Sequence, residues 1–310
     1  MTKRQDLIVI GGGPGGLVVA SVAAQLGLRV TLIEKSGLLG GDCLHSGCVP
    51  SKTLINAARI AHSARQGAES GLLTTMPAIA FDTAIDEVHR VIGKIQAYDD
   101  PERFRGYGCD VIFGAARFTG PHEITVGEQT LRGRRFVIAT GSRPAIPPIP
   151  LLEQTGFETN ETIFRRRDLP ERLAVIGGGP IGVELSQAFS RLGSQVTIIE
   201  AADRLLIHED EQTSTLIQDA LASEGINIMT AAQVGGVRRE SEYRQVALAD
   251  GRTVECNRIL VATGRRPLVH GLCLEEAGVT FSKHGIEVDR RLRTSQKHIY
   301  AVGDVCGPYN

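Results

Sequence analysis

Two segments of the chain repeat one pattern. Asp6–Glu34 reads DLIVIGGGPGGLVVASVAAQLGLRVTLIE, Arg172–Glu200 reads RLAVIGGGPIGVELSQAFSRLGSQVTIIE, and the two align without a gap. Each runs from a short apolar strand through a glycine-rich turn into an apolar helix, then a second strand, and closes on an acid. That is a βαβ unit written twice, which restricts the chain to an α/β fold with two Rossmann-like dinucleotide-binding domains.

The glycine positions have separate physical reasons. Gly11 and Gly177 permit the tight turn, Gly13 and Gly179 let the backbone approach a pyrophosphate, and Gly16 and Gly182 let the helix pack closely on the strand. The helix N-terminus then offers unpaired N–H groups and partial positive charge to the phosphates. Glu34 and Glu200 end the second strands, where a carboxylate accepts the two ribose hydroxyls of an adenosine. One such glycine turn is weak evidence, but two copies with the same spacing to an acid predict two bound dinucleotides.

Punctuation sets the expected borders. After the first repeat, IAFDTAIDEVHRVIGKIQAYDD has helical periodicity, while CDVIFGAARF and TVGEQTLRGRRFVIATG read as short strands with turns. Pro144, Pro147, Pro148 and Pro150 in SRPAIPPIPL predict a stiff extended link between domains. The reading is therefore one domain over residues 1–150, a second over 151–264 ending in RILVATGRRP, which echoes FVIATGSRP, and a return to the first over 265–310, closing with the strand-like IYAVGD.

The formal net charge of −1 gives no electrostatic reason to expect nucleic acid or a membrane surface as partner. The arginine clusters at Arg132–Arg135, Arg165–Arg167 and Arg290–Arg293 read as solvated faces, because none forms a helical stripe with interleaved aromatics. The apolar run after the basic start is only Leu7–Ile10, too short for a signal peptide or membrane span, so a cytoplasmic protein is expected. In reducing surroundings the six cysteines do not read as a disulfide framework, and Cys109, Cys256, Cys273 and Cys306 are expected to be buried small hydrophobes.

Cys43 and Cys48 are different. They stand in GGDCLHSGCVPSK with four residues between them, and no second cysteine or histidine pair follows to complete a zinc site, so no resident metal is expected. Pro50 suits the first position of a helix, which predicts Cys48 just before a helix N-terminus and Cys43 in the loop leading to it. A helix N-terminus favours a thiolate, the form that does exchange chemistry.

These motifs together resemble the flavoprotein disulfide reductases, the group of dihydrolipoamide dehydrogenase, glutathione reductase and mercuric reductase. GGGPGG with Glu34, GGDCLHSGCVPSK, ATGSRP, GGGPIGVE with Glu200, ATGRRP and IYAVGDV occur in family order along nearly the whole chain, with wording most similar to mercuric-reductase-like members. The resemblance implies FAD on the first repeat, with Gly11, Gly13, Gly16, Glu34, Lys35, Gly41, Thr140, Gly141 and Asp304 as its binding set. It implies a nicotinamide dinucleotide on the second, with Gly177, Gly179, Gly182, Glu200 and Gly264. Asp304 matches the aspartate that hydrogen-bonds the ribityl chain.

In the same terms, Cys48 is the thiol facing the flavin and Cys43 the interchange thiol. Lys52 matches a lysine near the flavin's reactive nitrogen, and Glu184 its ion-pair partner. The implied activity passes electrons from NAD(P)H through flavin to a Cys43–Cys48 disulfide and on to a small-molecule disulfide or metal-ion acceptor. An NADH oxidase or diaphorase, and a non-catalytic flavin-binding redox sensor, stay open as alternatives. Glu200 repels a 2′-phosphate, so NADH is expected over NADPH, although Arg204 lies close enough to complicate the choice. Pro180 stands where several members carry a tyrosine over the nicotinamide.

The family's C-terminal interface domain, which carries a catalytic histidine and glutamate and most of the homodimer contact, has no counterpart in these residues, and none of the eight histidines sits in its motif. The chain is thus expected to be a piece of a longer, homodimeric enzyme, able to bind FAD and poor at disulfide turnover alone.

Overall fold

A computed structural model describes residues 4–307. Its first elements are β1 (Gln5–Ile10), α1 (Pro14–Gln25), β2 (Val30–Glu34), α2 (Gly41–His45), α3 (Cys48–Glu69), α4 (Phe81–Gln96) and α5 (Pro101–Gly106). There follow β3 (Cys109–Phe113), β4 (Ala116–Gly120), β5 (Glu123–Val126), β6 (Gln129–Ile138), β7 (Ser142–Pro144) and α6 (Leu152–Thr155). The second repeat supplies β8 (Arg172–Ile176), α7 (Pro180–Leu192) and β9 (Gln195–Ile199), then α8 (Glu211–Ser223), β10 (Asn227–Met229), β11 (Val234–Glu240), β12 (Tyr243–Leu248), β13 (Thr253–Cys256) and β14 (Arg258–Val261). The last strands are β15 (Arg265–Pro267), β16 (Phe281–Ser282), β17 (Gly285–Ile286) and β18 (Ile299–Ala301).

The contacts divide the chain into two compact units. One holds the residues up to His45, Gly93–Arg143 and those from Arg265; the other holds Ser46–Ile92 and Pro144–Gly264. Residues 46–92 therefore pack with the second repeat, a division absent from the sequence reading with its borders at 150 and 264. The proline-rich stretch keeps to the second unit from Pro144 onward. Ala145 N–H donates to Gly264 C=O at 2.9 Å and Val237 N–H to Pro150 C=O at 3.1 Å, which ties it into the second unit.

The first unit is built on the parallel order β3-β2-β1-β6, with β18 parallel to the far half of β6. The near half of β6 turns antiparallel through β5 and β4. Parallel strands covered on both faces need apolar residues at every position, and the cores show this. Ile8, Ile10 and Ile33 enter one buried cluster, while Leu7, Val9, Val30 and Leu32 enter another with the apolar face of α1.

The second unit repeats the plan with β10-β9-β8-β14, all parallel, beside an antiparallel β11-β12-β13 sheet. Leu173, Val175, Val196 and Ile198 point into a core with Leu54, Ala58, Ile85 and Phe189 from α3, α4 and α7. Ala174, Ile176, Ile199, Ile259 and Val261 face the cluster under the antiparallel sheet. Among the described residues no helix is long and apolar enough to cross a membrane.

Candidate active site

In the first unit the chain leaves β1 at Gly11, whose φ of +112° is accessible to glycine and strained for other residues. Gly11 N–H donates to Ile33 C=O at 2.8 Å, and a Cβ there would collide with Ala139 C=O at the end of β6. A Cβ on Gly16 would strike Gly11 C=O, so the first turn of α1 lies directly on the turn it follows. Around Gly13, by contrast, the nearest atom to an added Cβ is Gly41 Cα at 3.8 Å, which leaves the N-terminus of α1 open to an incoming phosphate. Pro14 opens that helix at a position where no N–H is needed.

The Glu34 carboxylate is buried and accepts Gly12 N–H and Ser36 N–H, each at 2.7 Å and each on a different oxygen. Every oxygen of a carboxylate has a second lone pair, so both stay able to accept a ribose hydroxyl. Gly41, at φ +60°, abuts Gly13, and Gly40 N–H donates to Gly12 C=O at 2.8 Å. Lys35 is exposed at the end of β2. Thr140 and Gly141 follow β6; Thr140 Oγ1 donates to Leu268 C=O at 2.8 Å.

The second unit builds the same turn from the same atoms. Gly177 also has φ +112°, donates to Ile199 C=O at 2.9 Å, and sits against Ala262 C=O. Gly182 lies on Gly177 C=O, and an added Cβ on Gly179 would meet nothing within 4 Å. Glu200 accepts Gly178 N–H at 2.6 Å and Ala202 N–H at 2.7 Å. Gly264 follows β14 with φ +122°, and Pro180 opens α7. Both turns thus fit a dinucleotide: open backbone N–H groups at a helix start, with a carboxylate fixed at the end of the next strand, where ribose hydroxyls would be accepted.

The cysteine segment departs from the expectation in two details. Cys43 lies inside the short helix α2, not in a loop, and Cys48 is the first residue of α3, with Gly47 as N-cap and Pro50 two positions further in. Pro50 still fits, because the first helical turn has no intrahelical acceptor for its missing N–H. Cys48 is an exposed free thiol and Cys43 is half-buried. Before α3, Asn160 Nδ2 donates to Ser46 C=O at 3.1 Å, and both residues are buried, which fixes where the helix begins.

One turn along α3, Lys52 Nζ meets Glu184 Oε2 of α7 at 2.5 Å, with the two side chains 58% and 43% exposed. An exposed pair of this kind stabilises by about 0–1 kcal/mol. Its effect is to orient the ammonium, not to hold the helices together.

A polar network in the first unit escaped the sequence reading. Arg265, 14% exposed, donates from Nη2 to Asp42 Oδ2 at 2.9 Å and to Ser142 C=O at 3.1 Å, and its Nε lies 3.5 Å from Asp304 Oδ2. Asp42 precedes Cys43 in α2, so one guanidinium connects the helix carrying that thiol to Asp304. The available signal was Arg265 itself, which replaces serine in the second ATG-x-RP turn.

Two further expectations need correction. Cys109 and Cys256 are buried, and burial raises both thiol pKa values, that of Cys256 to about 11. Cys273 and Cys306 are only half-buried, Cys273 because it occupies a left-handed turn at φ +53° and Cys306 because it ends a single 3-10 turn. The cluster Arg165–Arg167 is not a solvated face throughout: Arg166 is largely shielded and bound to Glu158 and Asp168. Among the described residues no group of three or more His, Cys, Asp or Glu side chains could hold a metal ion.

Two Rossmann-like folds, each ending its glycine turn on a carboxylate, with a cysteine pair on successive helices, define an α/β oxidoreductase that takes two dinucleotides. The sequence profile of the pyridine nucleotide-disulphide oxidoreductases matches residues 5–310, and the chain belongs to that family. It is 38% identical over 313 residues to a dihydrolipoyl dehydrogenase of Thermus scotoductus, covering 99% of this chain and 67% of that protein. It is 37% identical over 314 residues to a mercuric reductase of Streptomyces lividans, covering 98% and 66%, and 34% identical over 304 residues to that of Lysinibacillus sphaericus, covering 97% and 56%. The Cu(II) complex of the HOCl-induced flavoprotein disulfide reductase RclA from Escherichia coli matches with a TM-score of 0.87 at 31% identity, covering 98% of this chain and 66% of that one. The chain spans about half to two thirds of the length of the curated relatives it matches. Membership implies FAD and a nicotinamide dinucleotide as cofactors.

Proposed function

We propose that the protein carries two electrons from NADH, by way of FAD, to a disulfide between Cys43 and Cys48, and from there to a small disulfide or a metal ion. The observation that carries this reading is the pair of glycine turns with matching φ, hydrogen bonds and contacts, each closed by a carboxylate, in a chain whose GGDCLHSGCVPSK segment opens α3. FAD, when bound, supplies the passage of a hydride's electron pair between a nicotinamide and a disulfide. The first unit holds it through the N–H groups at the start of α1, the Glu34 carboxylate and Asp304. The second unit holds the nicotinamide dinucleotide through the start of α7 and Glu200, whose negative charge disfavours the 2′-phosphate of NADPH.

Cys48 is the first residue of α3, at the positive end of the helix dipole. It is the thiol assigned to the flavin side, and Cys43 the one that exchanges with the acceptor. Lys52, oriented by Glu184, is the residue assigned to offset the negative charge that develops on reduction. Each NADH cleaves one S–S bond: its hydride brings two electrons, one proton is taken up, and two thiols result. A metal-ion acceptor is supported by the names of the mercuric reductases and by the Cu(II) complex of RclA; a disulfide acceptor, by the dihydrolipoyl dehydrogenase.

The test is anaerobic alkylation. Oxidised, FAD-loaded protein is given NADH, quenched with iodoacetamide, and the peptide spanning Cys43 and Cys48 is weighed. Two new labels per NADH consumed are expected; NADH consumption without labels sinks the proposal. In Cys43→Ser, disulfide and metal-ion reduction should stop while dye reduction persists, and loss of dye reduction as well would point away from the assigned order of the two thiols.

A further inference from the structure

The second unit contains a cavity of about 300 Å³ that no step above uses. Its charged lining is Glu158, Arg166, Arg239, Glu242, Arg244 and Arg258, brought together by the segment after α6, the β11–β12 hairpin, and the start of β14. Four arginines in one concavity repel one another, so their neutralisation decides what the cavity can hold.

Two of them are neutralised within the protein. Arg166 sends Nη2 to both oxygens of Asp168, at 2.7 and 2.8 Å, and Nη1 to Glu158 at 3.1 Å. Arg258 Nη2 shares Asp168 at 3.0 Å. Arg244 is different: its donors go to the backbone carbonyls of Thr155, Gly156 and Asn257, which carry no net charge. Burial, then the positive charges of Arg258, Arg239 and Arg166, push its pKa down. Arg239 donates only to the nearby Ser241 C=O, at 3.3 Å, among the described residues. The Nε–H of Arg258 is buried and meets no acceptor among them. Guanidinium forks, one uncompensated and one with a buried unused donor, match the paired oxygens of phosphates and carboxylates.

This cavity is separate from the nucleotide turn. Strands β8 and β14 run parallel, with Arg258 opposite Leu173 at their start and Val261 opposite Ile176 at their end, where Gly177 begins. About 10 Å of strand separates the two ends, so the cavity is not a pocket for a 2′-phosphate beside Glu200. We propose that it binds a small, multiply charged oxyanion, a phosphate-bearing or polycarboxylate metabolite, held between Arg239, Arg244 and the Arg258 Nε–H, with Glu242 at its mouth opposing the ligand's charge.

Calorimetric titration of the FAD-loaded protein tests this, with NAD⁺ present to fill the second glycine turn and ionic strength held constant. Pyrophosphate, orthophosphate and citrate are the probes, which separates phosphate from carboxylate ligands. Saturable binding of at least one is expected, weakened about tenfold by R239Q, the loss of one charge-assisted hydrogen bond, and tightened by E242Q. The Arg239 side chain is exposed and, among the described residues, donates only to Ser241 C=O, so R239Q leaves the fold intact. Absence of saturable heat for all three probes, or equal affinities in the parent, R239Q and E242Q, overturns the proposal.

Discussion

Arg265 donates its Nε–H to Ser142 Oγ at 2.6 Å, and these residues occupy the same place in the two ATG-x-RP turns. The serine hydroxyl in turn donates to Asp304 Oδ2 at 2.6 Å. The internal repeat therefore does more than duplicate a nucleotide turn. One copy supplies a hydroxyl and the other a guanidinium, and the pair positions Asp304 and Asp42.

Replacing Arg265 by methionine removes the shielded cation from two carboxylates, and unfolding should become easier by about 2–3 kcal/mol. Lysine should not restore the parent, because a single ammonium cannot address Ser142, Asp42 and Asp304 as a planar fork does. Thermal unfolding measures the first effect. FAD content after gel filtration measures the second, and both variants should retain less than the parent.

Gly16→Ala and Gly182→Ala separate the two units. In each the new Cβ meets a backbone carbonyl, of Gly11 or Gly177, that cannot rotate away. A cost of at least about 3 kcal/mol is expected in the unit concerned. Gly16→Ala should yield protein without FAD, whereas Gly182→Ala should keep its flavin and show a raised KM for NADH. Flavin absorbance and steady-state kinetics distinguish the outcomes.

Glu200 bears on coenzyme choice. Its oxygens already accept Gly178 and Ala202 N–H, so the carboxylate is fixed and cannot swing away from a 2′-phosphate. NADH should exceed NADPH in kcat/KM, and Glu200→Gln should narrow that ratio by at least about tenfold by removing a like-charge clash. Comparing both coenzymes in both proteins checks this, and a parent preference for NADPH would contradict it.

The glycine turns were legible because their constraints are local: a left-handed turn, a close helix and an acid at the end of the next strand all fall within one βαβ unit. The repeat in space runs further than the aligned text. Leu39 packs on Gly12 as Leu205 does on Gly178, and Gly40 and Leu206, both at positive φ, donate to equivalent carbonyls at 2.8 and 2.9 Å. Glycine in one copy and leucine in the other conceal that equivalence. The Arg265 network was not legible, since Ser142 and Asp304 are 162 positions apart and Arg265 and Asp42 are 223 apart. Nor was the arginine cavity, because Arg166, Arg239, Arg244 and Arg258 come from separate segments and look like solvated charge until the chain folds.

Acid sensitivity of the second unit can be traced to Glu224, just beyond α8. Burial raises its pKa, but Arg191 outweighs this with two hydrogen bonds at 2.6 and 2.7 Å, assisted by Gln187 at 2.8 Å, so the carboxyl titrates below its ordinary value of 4.5. The side chains are 19% and 16% exposed, and the pair joins α7 to the end of α8. In the unfolded chain the carboxyl takes up a proton at higher pH than in the folded one. The contribution is therefore complete above 4.5 and lost as pH falls through the lowered folded value. Glu224→Gln should destabilise by about 2 kcal/mol near neutral pH, leaving a largely shielded guanidinium with a weaker acceptor. In urea titrations the gap between parent and variant should close as the medium is acidified below 4.5, and a gap independent of pH would show that the pair is not the acid-labile element.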